Sequence, residues 1–123
     1  MRAILIDPFE RKIQEVDFDG ELFSAHKLMD CSLVEAMPAN PFGNSDNILL
    51  DEEGRLKSDR HQEYFELEGW HEGYLCGRAL IVGSDGAGEM AEALTDIEDV
   101  RRTVIWLEKV DEGGTAYLMP VRA

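Results

Sequence analysis

The run Gly83-Ser-Asp-Gly86-Ala-Gly88 follows an apolar stretch and has the composition of a loop that cradles phosphate on backbone amides. Its glycine order is G-x-x-G-x-G rather than G-x-G-x-x-G, and no Lys follows as in a P-loop. Asp85 and Glu89 would stand beside the phosphate and repel it. The run therefore reads as a turn. A small-molecule-binding domain or enzyme built on this chain would place its pocket near Gly83–Gly88.

The histidines, His26, His61 and His71, do not assemble a metal site by spacing. His71-Glu72 begins an H-E-x-x-H helix, but position 75 is Leu. Neither His26 with Cys31 nor His71 with Cys76 has paired ligands at zinc-finger spacing. Asp17-Phe-Asp19-Gly20 and Asp51-Glu-Glu-Gly54 lack the rest of a calcium loop. Nothing beside Cys76 lowers its pKa, and acidic neighbours raise it, so it does not read as a nucleophile. Carboxylate pairs are too numerous to single out an acid and a base. The expected catalytic, cofactor and metal residues are none.

Charge is the stronger signal. The 123 residues hold 26 acidic and 12 basic side chains, a net charge of −14. From His61 to Asp99 there are ten Asp or Glu and one Arg, a balance of −9, whereas Val100 to Ala123 carries +1. Such a surface repels nucleic acid and anionic membrane and attracts cations. Self-repulsion also weakens the compact state, so added salt should raise the melting temperature. Trp70 and Tyr74, in the glycine-rich stretch Gly69 to Gly77, which reads as irregular, stand among Glu66, Glu68 and Glu72. With Asp85, Glu89 and Glu92 they form the candidate partner-binding set. The competing reading folds both aromatics back onto the sheet.

The elements that would position these groups follow from hydrophobic periodicity. Arg2 to Asp7 is an apolar strand stopped by Asp7-Pro8, and Lys12 to Phe18 is its hairpin partner. Glu21 to Met29 fits a short amphipathic helix with Leu22, Phe23, His26 and Met29 at helical spacing. Leu33–Met37, Asn47–Asp51 and Tyr64–Glu68 read as further strands. Gly77 to Gly83 has the continuous apolar character of a central strand. Glu89 to Leu94 reads as a short helix. Thr95-Asp-Ile-Glu98 matches a capping box that opens another, with Thr95 as the cap. Strands over Thr103–Val110 and Ala116–Val121 flank a turn at Glu112-Gly-Gly114. The sum is a single α+β domain, residues 1–123, with a mainly antiparallel sheet and two or three short helices on one face. Two cysteines make no disulfide framework and no apolar run spans a bilayer, which leads to an expected cytoplasmic location with free thiols.

In order and spacing, Ile4-Leu-Ile-Asp-Pro8, Lys12-Ile-Gln-Glu-Val16, Leu33-Val-Glu-Ala36, Leu50-Asp-Glu-Glu-Gly-Arg-Leu56 and Gly77-Arg-Ala-Leu-Ile-Val-Gly83 resemble the small DUF3846 proteins over residues 2–90. The resemblance implies a phage or plasmid setting in bacteria and transfers no catalytic residue. The resulting expectation is a non-enzymatic acidic protein that binds a basic protein surface, in its extreme form a nucleic-acid mimic or anti-defence protein. Direct nucleic-acid or membrane binding is not expected, and a homodimer through open strand edges is a third reading.

Overall fold

The computed structural model describes residues 1–56, 62–70 and 73–121. His61, His71 and Glu72 lie outside the described residues. The central sheet is built from β1 (Arg2–Asp7), β2 (Lys12–Asp17), β3 (Val34–Pro38), β4 (Asn47–Asp51), β7 (Ala79–Ser84) and β8 (Met90–Ala91). Its order is β2-β1-β7-β4-β3, with β8 paired to β7, and every pairing is antiparallel. A second antiparallel sheet contains β5 (Tyr64–Leu67), β6 (Leu75–Cys76), β9 (Val104–Glu112) and β10 (Thr115–Pro120), in the order β10-β9-β5-β6. The helices are α1 (Leu22–Met29) and α2 (Ile97–Thr103).

The continuous apolar runs of β1, β4 and β7 are explained by burial on both faces. In register, Ile4, Ile81 and Ile48 form one row across the sheet, and Leu5, Leu80 and Leu49 form the next. Because side chains alternate, the two rows face opposite ways. The isoleucine row packs with Phe65, Leu67 and Leu75 of the second sheet and with Val100 of α2. The leucine row packs with Phe18 and with Ala25 and Met29 of α1. Each of these side chains larger than alanine, fully buried, stabilises the fold by about 1.5–3 kcal/mol.

The helices thus cover opposite faces of the central sheet, not one face. A sheet apolar on both sides needs two covers, and a helix of eight residues supplies only one. The α+β class holds, but sheet dominates. Four local readings also change. Glu89–Leu94 contains no helix; Met90–Ala91 returns alongside Gly83–Ser84 as a strand. The cap of α2 is Asp96, whose carboxylate accepts the Glu98 N–H at 2.9 Å. Thr95 is buried and hydrogen-bonds elsewhere. In α1 the inward residues are Ala25 and Met29, whereas Leu22 and Phe23 are exposed, Phe23 at 68%. Phe18 already fills the core of that layer, and the Lys27 ammonium lies 4.8 Å over the Phe23 ring. Finally, Gly69–Gly77 is not wholly irregular, since it contains buried β6.

The Thr95 hydroxyl donates to Asp46 Oδ2 at 2.7 Å. Asp46, 1% exposed, also accepts the N–H groups of Thr95 (2.8 Å) and Leu94 (2.9 Å). This single carboxylate ties the segment entering α2 to the loop entering β4.

Candidate binding site

Because β1 ends where its antiparallel neighbour β7 begins, Asp7 and Arg78 meet at one end of the central sheet. β4 finishes at the same end, on Asp51. Asp7 Oδ1 accepts the Phe9 and Glu10 N–H groups, closing the Asp7-Pro8 turn, and its Oδ2 lies 3.2 Å from Arg78 Nε. The Arg78 guanidinium also rests 4.6 Å over the Phe9 ring.

After β4 a 3-10 turn, Gly54–Leu56, carries Arg55 across to the second sheet. Only glycine suits position 54, since a Cβ there would meet Cys76 Cβ at 2.9 Å and Cys76 O at 3.0 Å. Arg55 donates to Tyr74 O at 2.5 Å, and its guanidinium lies 4.4 Å over the Tyr74 ring. Tyr74 in turn meets Tyr64 edge-on, with centroids 6.0 Å apart.

Two concavities adjoin here. A cavity of about 170 Å³ is lined by Glu35, Met37, Asp51, Glu52, Arg55 and Cys76, among others. An open groove of about 470 Å³ is lined by Tyr64, Tyr74, Lys109, Ala116, Tyr117 and Leu118. Arg55 lines the first and stacks on Tyr74 of the second. Burial pushes the Cys76 thiol up to about 11, with Asp51 adding to the rise and Arg55 opposing it. Burial likewise raises the Tyr64 phenol. Both groups stay protonated near neutrality, so they can donate hydrogen bonds but supply neither a nucleophile nor a base. Among the described residues no three His, Cys, Asp or Glu are placed to hold a metal ion.

The candidate residues from the sequence divide. Tyr74 is exposed and forms the wall of the groove. Trp70 folds back against the core that contains Phe65, with its Nε1 buried. Glu66 and Glu68 lie on and just after β5, and Glu72 is outside the described residues. Asp85, Glu89 and Glu92 occupy the opposite end of β7, roughly 20 Å from Arg78 at 3.3 Å per residue. Asp85 Oδ1 accepts the Ala87 and Glu89 N–H groups at 2.8 and 2.9 Å, so the glycine-rich turn engages these amides itself. Glu92 accepts the Arg2 N–H. Sequence reasoning passed over Glu35, Asp51, Glu52 and Arg55 as site residues. The available signal was the convergence of Asp7-Pro8, Asp51-Glu-Glu-Gly-Arg55 and Gly77-Arg78, runs far apart in the chain.

The family model for the domain of unknown function DUF3846 matches residues 1–105, and the chain belongs to that family. No curated protein and no solved structure matches the chain. No described helix is long and apolar enough to cross a membrane. The matched span includes the cavity but ends within β9, so β10 and its side of the groove lie beyond it.

Proposed function

We propose that this member of the DUF3846 family is a non-enzymatic acidic protein that binds a basic protein surface. The cavity beside Arg55 carries the reading. At about 170 Å³ it is smaller than the roughly 300–1,000 Å³ typical of small-molecule and cofactor sites. It is the size for a side chain. Three carboxylates, of Glu35, Asp51 and Glu52, line it with apolar Met37 and Leu50, and they outnumber its one lining cation, Arg55. A lysine or arginine from a partner would lay its apolar stem along Met37 and Leu50 and bring its charge to the carboxylates. The net charge of −14 would steer such a partner in and make association weaken with salt. In a mobile-element setting this reading takes the form of a protein that blocks a nucleic-acid-binding protein of the host.

The test is binding of lysine-rich and arginine-rich peptides to the intact chain, by fluorescence anisotropy at low and high salt. Glu35 and Glu52 are exposed, so a Glu35→Lys/Glu52→Lys variant should fold. At least tenfold weaker binding is expected from it, and binding by the parent should fall as salt rises. Equal binding by parent and variant, or binding insensitive to salt, would overturn the proposal.

A further inference from the structure

Edge strands in natural sheets are usually guarded by charge, proline, bulges or short length. Among the described edge strands of more than two residues, β2 carries Lys12, Glu15 and Asp17, and β3 carries Glu35 and Pro38. β10 is different. It reads Thr-Ala-Tyr-Leu-Met-Pro, with no charged residue, in a chain that is 31% charged. It ends its sheet, pairing with β9 on one side only among the described residues.

The backbone phase of this edge follows from two hydrogen bonds. Val121 N donates to Trp106 O, which turns the odd-numbered residues of β10 toward β9. Glu68 N donates to Thr103 O, which turns Thr103, Ile105 and Leu107 toward β5 and leaves Trp106 and Glu108 facing β10, in agreement. Ala116, Leu118 and Pro120 therefore direct their backbone outward. Pro120 has no N–H to offer, so Ala116 and Leu118 supply the outward donors.

We propose that β10 pairs antiparallel with β10 of a second copy of this chain, about a two-fold axis at Tyr117. In that register Ala116 faces Leu118 of the other copy and the reverse, so each of their outward N–H and C=O groups finds a partner. Shifting the axis to Leu118 would place Ala116 opposite the proline, and shifting it to Ala116 would place Leu118 against the turn at Gly114. Tyr117, 42% exposed, meets its own copy across the axis as an aromatic cross-strand pair. Charge selects the occupant. Copies at −14 repel, so self-association needs a neutral seam, whereas a basic partner gains nothing from one. The two second sheets join into one continuous sheet, through a strand that lies outside the family match.

Sedimentation velocity on the full chain, from low to high micromolar concentration, tests this at low and high salt. A monomer–dimer equilibrium is expected, at least tenfold tighter at high salt. Ala116→Pro removes an outward donor without touching the β9 ladder, and Tyr117→Lys sets two cations face to face. Each should weaken dimerisation at least tenfold with the far-ultraviolet circular dichroism unchanged. Should either variant unfold, amide hydrogen exchange of the parent decides: Ala116 and Leu118 amides should gain protection as the dimer forms. A parent that stays monomeric at every concentration, a dimer unaffected by both substitutions, or a dimer with those amides unprotected overturns the proposal. So does protection of those amides by a lysine-rich peptide on a monomeric chain.

Discussion

Asp46→Asn tests whether the carboxylate between Leu94 and Thr95 holds the second half of the chain onto the first. Its Oδ2 accepts from Leu94 N, Thr95 N and the Thr95 hydroxyl at 2.9, 2.8 and 2.7 Å. Its Oδ1 faces Leu94 N at 3.1 Å. Asparagine keeps one oxygen and turns an amide donor toward a backbone donor. Three charge-assisted bonds become neutral ones, each losing about 1 kcal/mol, for a gross loss of about 3 kcal/mol. Burying a neutral group in place of an ion offsets part of this, leaving a net loss of about 2 kcal/mol. Urea titration followed by circular dichroism should show that loss, as a midpoint lower by about 1 M at an m-value near 2 kcal/mol/M. Thr95→Val should lose about 1–2 kcal/mol, because it removes the hydroxyl donor and the acceptor of Asn44 Nδ2. The double variant should lose less than the sum of the single ones, by about 0.5 kcal/mol or more. If Asp46→Asn unfolds at the parent's midpoint, or the two losses simply add, the carboxylate is not the link described.

Gly83→Ala would place a Cβ 1.9 Å from Glu92 O, so it should destabilise by about 3 kcal/mol or prevent folding. Gly86→Ala meets open space and should stay within about 0.5 kcal/mol of the parent in the same urea titration. The Cys76 thiol has its folded pKa raised from 9.0 to about 11, so between these values the unfolded chain ionises while the folded one holds its proton. Its contribution to stability is therefore complete below pH 9 and is lost as pH rises toward 11, which urea midpoints across that range will show. A chain at −14 should also melt higher in moderate than in low salt, and a flat or falling melting temperature would count against the charge argument.

Where a residue's fate depended on its near neighbours, it was legible in the sequence. Ala79-Leu-Ile-Val82 could only be an inner strand, because each of its four side chains demanded burial and alternation sends them to both faces. Glu89-Met-Ala-Glu-Ala-Leu94 reads as a helix because these are strong helix formers, but tertiary pairing with Gly83–Ser84 outweighs propensity. Thr95 resembles a cap because Glu98 sits three residues on. Its real partner, Asp46, is remote in the chain, and no local pattern reports it. The site was hidden for the same reason: Glu35, Asp51 with Arg55, and Cys76 come from three separate segments and meet only once both sheets are in place. Tyr74 could be read as exposed, since a tyrosine among glycines has little local cover, but nothing local announced the arginine lying on it.

The position of β7 has a consequence for how the chain is made. It sits between β1 and β4, yet it is translated after both. Until residues 79–84 leave the ribosome, the hairpins β1–β2 and β3–β4 each present a bare apolar edge, Ala3-Ile-Leu-Ile6 and Ile48-Leu-Leu50, with nothing to join them. The nascent chain therefore carries one sticky ribbon from residue 17 onward and two from residue 51, and the insertion of β7 converts them to a sheet in one late, long-range step. Truncations that stop short of Ala79 should be captured by chaperones or aggregate, whereas the acidic charge already present on the first half provides the repulsion that keeps such ribbons apart.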